Sequence, residues 1–288
     1  MDENVAIARA RKLLKESGIT EAPVDVEALA LSLGYQVSRK DLPPGEAGNT
    51  FERRGKKHIW VNQNDGLNRQ RFTILHEIAH DVLKLPSKHG ETLPSDELER
   101  YKGRPSEEVL CDVFAAECLV PWQLIQPMAE EYEFTLETIA TLSRTFQASW
   151  ACVASRLAQA SSEHLAFVVA EEGVVQYSIT SRALRDARLW IQKDIALPRR
   201  SAAAQAIKAD SNETFTAELE GLDWSSSESA QNFACYEQAT YYSPAKQTIS
   251  VLTFEAFVVR PASNERRQAH EDDGLLEELS GHLPWPKR

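Results

Sequence analysis

No run of apolar residues in this 288-residue chain approaches the roughly 20 that a membrane-spanning helix needs, so a membrane protein is not expected. The opening stretch MDENVAIARARKLLKES has neither an apolar h-region nor a small-residue cleavage site, which speaks against a secretory leader. Cysteine is sparse. Cys111, Cys118, Cys152 and Cys235 form no CxxC pair and fit no disulfide scaffold. They lie in apolar stretches where a reduced thiol packs as a small hydrophobe, and that points to the cytoplasm. Positive charge is also short, 32 Lys and Arg against 43 Asp and Glu, for a net charge of −11. Such a chain repels phosphate backbones, so direct DNA binding is not expected beyond a local basic patch. Internal repeats are absent. What remains, 42% hydrophobic and 26% charged residues, is the make-up of a globular protein with a packed core, long enough for about two domains.

The N-terminal half is helical by pattern. Residues 4 to 17 predict a helix stopped at Gly18, and Pro23 and Asp25 open a second short one. GYQVSRKDL suggests a strand, and NTFERRGKKHIWVNQ suggests a β-hairpin, Thr50 to Arg53 and His58 to Val61, turning at Gly55. A helix then starts near Asn68. The polar segment 86 to 106 is punctuated by proline and glycine and reads as a loop or lid. Ser106 is placed to cap EEVLCDVFAAECLV, a helix ended by Pro121, and three more helical stretches follow to residue 160. The last two have helix-turn-helix-like spacing, which a plain helical hairpin also has. Past Ser161 and Ser162 the pattern turns strand-rich. One hairpin is expected across Glu171 to Gly173 and another across Ser243 and Pro244, with the helices SRALRDARLWIQKD and SAAAQAIKA between them.

The chemistry concentrates in RFTILHEIAHDVL, residues 71 to 83. His76 and His80 are four apart, so on a helix they face one way, about 6 Å apart along the axis. Two imidazoles so placed can converge on one cation, with Glu77 beside the attacking water. Phe72, Leu75, Ile78, Ala79, Val82 and Leu83 make an apolar stripe, with Thr73, His76 and His80 off it, so the histidines border the core at a cleft edge. A two-histidine site needs a third protein ligand. The helix of residues 107 to 120 supplies two carboxylates, Glu108 and Asp112, again four apart in an otherwise apolar sequence. Glu108 can complete the site and Asp112 can fix a histidine tautomer. Two carboxylates against an apolar core are costly unless a divalent cation neutralises them. Rivals exist: Glu107 points about 100° away, Cys111 shares the Glu108 face and could ligate as thiolate, and His89 lies in the loop. His89, Tyr101 and Arg104 are candidates to stabilise a developing oxyanion. Zinc is the expected ion; manganese or iron would suit two histidines and a carboxylate too.

PVDVEALALSLGY, QRFTILHEIAHDVL and EEVLCDVFAAECLVP, in that order and spacing over residues 4 to 160, resemble the ImmA/IrrE metallopeptidases, which are gluzincin-like. The resemblance implies that His76, His80 and Glu108 are metal ligands and Glu77 the general base, with Asp112 where the family often has Asn or Asp. It also implies a protein substrate, a helix-turn-helix repressor cleaved in a stress response or in control of a mobile element. The expected fold is α+β. Residues 1–125 would form a mainly helical, zincin-like zinc peptidase domain with a small β-sheet, and 126–160 a helical, helix-turn-helix-like segment. A separate α+β domain, GAF-like in longer family members, would span 163–262, and 263–288 a charged tail. In many zinc peptidases the substrate adds as a strand to a sheet edge; Gly48, Asn49, Thr50 and Phe51 are the candidates for that edge. The competing reading is a non-catalytic regulator or sensor with a degenerate metal site.

Overall fold

The computed structural model describes residues 2–86 and 106–257. Helix α1 (Glu3–Glu16) starts at Asp2, whose carboxylate accepts the Asn4 N–H, and α2 (Val26–Ser32) starts at Asp25, which accepts from Ala28. Strands β1 (Tyr35–Lys40), β2 (Gly48–Arg53) and β3 (Lys56–Asn62) form a sheet in the order β1-β3-β2. The β2–β3 hairpin turns through Arg54 and Gly55, both at positive φ (52° and 74°), the backbone a tight two-residue hairpin turn demands. Strand β1 runs parallel to β3. Ile59 and Val61 of β3 are fully buried and face the long helix α3 (Leu67–Leu83).

Helix α4 (Ser106–Leu119) packs on α3 through an apolar seam of Leu75, Ile78 and Ala79 against Leu110, Phe114 and Ala115. Then come α5 (Trp122–Glu131), α6 (Leu136–Phe146) and α7 (Trp150–Ala160). Thr135 caps α6 and Ser149 caps α7, and Gln147 between them is left-handed at φ 50°. One buried ion cluster ties four of these helices together. Glu117 of α4, wholly buried, accepts from Arg11 of α1, from Arg156 of α7 and from the Trp122 N–H at the start of α5.

The hairpin β4 (His164–Glu171) and β5 (Val174–Thr180) turns at Glu172 and Gly173, both at positive φ. Helices α8 (Arg182–Asp186) and α9 (Ala202–Ala209), strand β6 (Phe215–Glu220), helix α10 (Gly221–Trp224), and strands β7 (Phe233–Tyr242) and β8 (Gln247–Ala256) complete the chain. The second sheet has the order β5-β4-β8-β7-β6. Strand β4 is buried on both faces. Leu165, Phe167 and Val169 join the core of the helices, while Ala166 and Val168 join a second core with Trp224, Leu252 and Phe254. That double burial explains its unbroken apolar run LAFVVA. The described residues up to Glu255 group together as one compact unit.

Two differences from expectation have physical causes. The stretch SRALRDARLWIQKD is helical over Arg182–Asp186 alone, because Arg188 turns left-handed and Leu189 and Ile191 drop into the second core. The following backbone instead pairs with the start of β5: the Val175 N–H donates to the Ile195 carbonyl and the Asp194 N–H to the Val175 carbonyl, both at 2.8 Å. Strand β6 and helix α10 were not foreseen, since TFTAELEGLDW carries a weak alternation that pairing with β7 turns into a strand. The tail 263–288 lies outside the described residues.

Candidate metal centre

Helix α3 presents four functional side chains along one flank. Thr73 and His76 are one turn apart, and Glu77 and His80 follow; Thr73, Glu77 and His80 are all buried. The helix ends where Lys84 turns left-handed, its N–H donating to the Asp81 carbonyl and that of Leu85 to the His80 carbonyl. Asp81 anchors the solvent side of this end. It accepts from the Tyr35 hydroxyl of β1 at 2.7 Å and from Lys57 of β3. These two contacts hold its carboxyl below the usual range, the Lys57 hydrogen bond contributing most.

Facing this flank, α4 contributes Glu108 and Asp112, both buried. His76 Nδ1 lies 2.9 Å from Asp112 Oδ1, and His76 Nε2 lies 3.1 Å from Glu108 Oε2. His80 Nε2 is 3.2 Å from His76 Nε2 and 3.6 Å from Glu108 Oε1. The three ligand atoms thus form a small triangle, all within 4.8 Å of one another. A tetrahedral ion with ligands at 2.0–2.1 Å spaces them by about 3.3 Å. The three groups are thus close enough together to converge on such an ion, and as donors, two imidazoles and a carboxylate, they are those zinc takes.

The electrostatics agree. Burial disfavours a charge on His76, but hydrogen bonds to Asp112 and Glu108, with the charges of Asp112 and Glu77, outweigh it and raise the ring's pKa to about 9. A field that draws a proton this strongly draws a divalent cation by the same attraction. Asp112 accepting the Nδ1 proton leaves the Nε2 lone pair for an ion.

Glu77, one residue along from His76, is held from the other side. The Thr50 hydroxyl of β2 donates to Glu77 Oε2 at 2.7 Å. The sequence singled out Thr50 for its backbone; its side chain went unread, because nothing local ties residue 50 to residue 77. Asn49, also on the candidate edge, donates to Glu46 Oε1 at 2.7 Å, and Phe51 stacks on His58 across the hairpin. Glu107 accepts from the Ser106 hydroxyl at 3.3 Å and is not in the ligand cluster. Cys111 is fully buried in the α3–α4 core and is not in the ligand cluster. His89, Tyr101 and Arg104 lie outside the described residues.

Comparison with known proteins finds likeness over the segment that holds these residues. Residues 30–158, which carry both helices and β1–β3, match the IrrE N-terminal-like domain. Two relatives, each described as the radiation response metalloprotease IrrE, align with the chain. That of Deinococcus radiodurans is 33% identical over 118 residues, 39% of this chain and 34% of the relative. That of Deinococcus deserti is 29% identical over 168 residues, 57% of each. The chain thus spans between a third and three fifths of the curated relatives it matches. A solved structure of a Mycobacterium tuberculosis transcriptional regulator superposes with a TM-score of 0.56 over 87% of this chain and 76% of its own, at 15% identity, a likeness of fold alone. Over residues 30–158, a little under half of its length, the chain is thus similar to the IrrE N-terminal-like domain and to relatives described as metalloproteases.

Proposed function

We propose that this chain is a metal-dependent endopeptidase, with zinc as its ion, that cleaves a helix-turn-helix repressor in the cytoplasm and so relieves repression. The observation that carries the reading is the donor triangle of His76, His80 and Glu108 with Glu77 beside it on the same helix. These three ligands would hold the ion, which when bound would polarise the scissile carbonyl and acidify the attacking water. Asp112 keeps the His76 ring in one tautomer. Glu77 takes the proton from the water and delivers it to the leaving amine, two transfers that one carboxylate can serve in turn. The apolar seam of α3 and α4 walls one side of the site, so charge developing there is poorly screened.

Strand β2 is one of the two edges of its sheet among the described residues, which supports an extended substrate adding along Gly48 to Phe51 by main-chain hydrogen bonds. Among the described residues no helix is long and apolar enough to cross a membrane. That the second sheet serves a sensing role is likewise our proposal, resting on length and pattern; its strand β4 shares a core with the helices, so it is packed on them rather than separate.

The test is to mix the zinc-loaded protein with the repressor encoded nearest its gene and to follow the products by mass spectrometry. One discrete fragment should appear, and Glu77→Gln should retain the metal and lose the fragment, a drop of about 10²–10⁴ in rate. A repressor left intact by the loaded wild-type protein, while the same protein shifts a DNA fragment, would hand the case to the regulator reading.

A further inference from the structure

Gly48 and Thr50 lie two apart on β2 and project to the same face, towards α3. On α3, Thr73 and Glu77 lie four apart and also share a face. Two residues of strand advance about 6.8 Å, and four of helix about 6.0 Å. The strand thus runs in register with the helix, Gly48 against Thr73 and Thr50 against Glu77. A Cβ on Gly48 would sit 2.5 Å from Thr73 Cγ2 and 2.6 Å from the Trp60 carbonyl oxygen, both impossibly close. Glycine at 48 is what lets β2 come near enough for the Thr50 hydroxyl to reach Glu77 Oε2 at 2.7 Å.

We propose that Thr50 is a positioning residue for Glu77, and that Gly48 sets the spacing on which it depends. This deepens the peptidase reading and rests on it. A carboxylate on a glutamate side chain turns about a broad terminal torsion. Engaging Oε2 from β2 fixes that torsion and leaves Oε1 as the oxygen offered to the attacking water. The strand that we propose receives the substrate backbone therefore also holds the base, so substrate register and base orientation are set by one rigid element.

The blander account is that Thr50 merely satisfies a buried carboxylate; it predicts lost stability with unchanged turnover. The experiment compares full-length Thr50→Val, Thr50→Ser and Gly48→Ala with wild type. It measures metal content, melting temperature, crystal structures at high resolution, and steady-state kinetics on a quenched-fluorescence peptide spanning the site mapped on the cleaved repressor. Thr50→Val keeps the shape and loses the donor. Its kcat should fall about 10- to 100-fold with KM within about twofold and metal content unchanged, since an ångström of misplacement costs that much. Thr50→Ser should restore kcat to within about threefold. Gly48→Ala should fall with Thr50→Val. In crystals Glu77 should hold one orientation in wild type and Thr50→Ser and a different or divided one in Thr50→Val. Wild-type kcat in Thr50→Val, or an unmoved Glu77, overturns the proposal, as does a Thr50→Ser no better than Thr50→Val. A wild-type protein that cleaves no repressor sinks the peptidase reading separately; the crystal comparison still decides whether Thr50 orients Glu77.

Discussion

Consider Asp112→Ala. Asp112 touches no ion; it acts through His76 Nδ1, 2.9 Å away and largely shut off from water. Removing a carboxylate of this kind behind a ligating histidine costs about 10- to 100-fold in metal affinity, or about 1.4–2.8 kcal/mol. A second effect runs the other way. Below a pH of about 9, where the His76 ring holds its proton, an ion must displace that proton to bind. The Asp112 hydrogen bond is the largest contribution raising that pKa, so Asp112→Ala lowers it and relieves the competition. The sign follows: affinity of the wild-type protein climbs as pH rises towards 9 and then levels, whereas that of Asp112→Ala levels earlier. The deficit of the variant is therefore partly masked at pH ~7 and reaches the full 10- to 100-fold above the pKa. Competition with a chromogenic zinc chelator, run at both pH values on protein whose circular dichroism matches wild type, measures it. A variant equal to wild type at both, or one whose deficit is larger at the lower pH, would refute the placement of Asp112 behind His76.

Two further predictions concern the frame of the site. Glu117→Ala strands the buried Arg156 guanidinium, and breaking such a pair costs about 3–5 kcal/mol, or roughly 6–20 °C in melting temperature for a unit of this size, readable by calorimetry. A loss under about 1 kcal/mol would mean that Arg156 finds solvent or another partner. Asp81 and Glu237 should give opposite pH trends. Asp81 has a lowered folded pKa, so the stability it gives is present above the ordinary carboxylate range and is lost as pH falls through the folded value; Asp81→Asn flattens that acid-side loss. Glu237, raised mainly by burial despite accepting from Ser250 and from Ala202 and Ala203 at the start of α9, contributes fully below the ordinary range and loses that contribution as pH rises through its folded value. Melting temperatures across pH 3–8 for the Asn and Gln variants would check both signs; matching slopes would contradict them.

The parts of this fold that could be read from sequence are those set within a few residues. The four-residue spacings of His76 with His80 and Glu108 with Asp112 mark two helix flanks, and Gly55 and Gly173 mark two hairpin turns, because only neighbours in the chain decide such features. What could not be read depends on partners far away. Strand β1 pairs parallel with β3, β4 lies between β5 and β8, and the helix expected through residue 194 yields to the edge of β5. The same limit hid the Thr50 hydroxyl. Its role needs β2 laid along α3, and the sequence signal for that is one glycine whose missing side chain leaves room.

Helix α4 shows why the apolar seam tolerates its acids. It buries three carboxylates, Glu108, Asp112 and Glu117, and such groups are stable only beside opposite charge. Glu117 meets Arg11 and Arg156, whose charge is permanent. Glu108 and Asp112 meet the imidazole of His76, whose charge can be given up. A salt bridge to arginine would have served a purely structural end at all three positions. Pairing the first two with rings that can release a proton and then accept an ion leaves the charge exchangeable, and an exchangeable charge is what a metal centre requires and a structural ion pair does not.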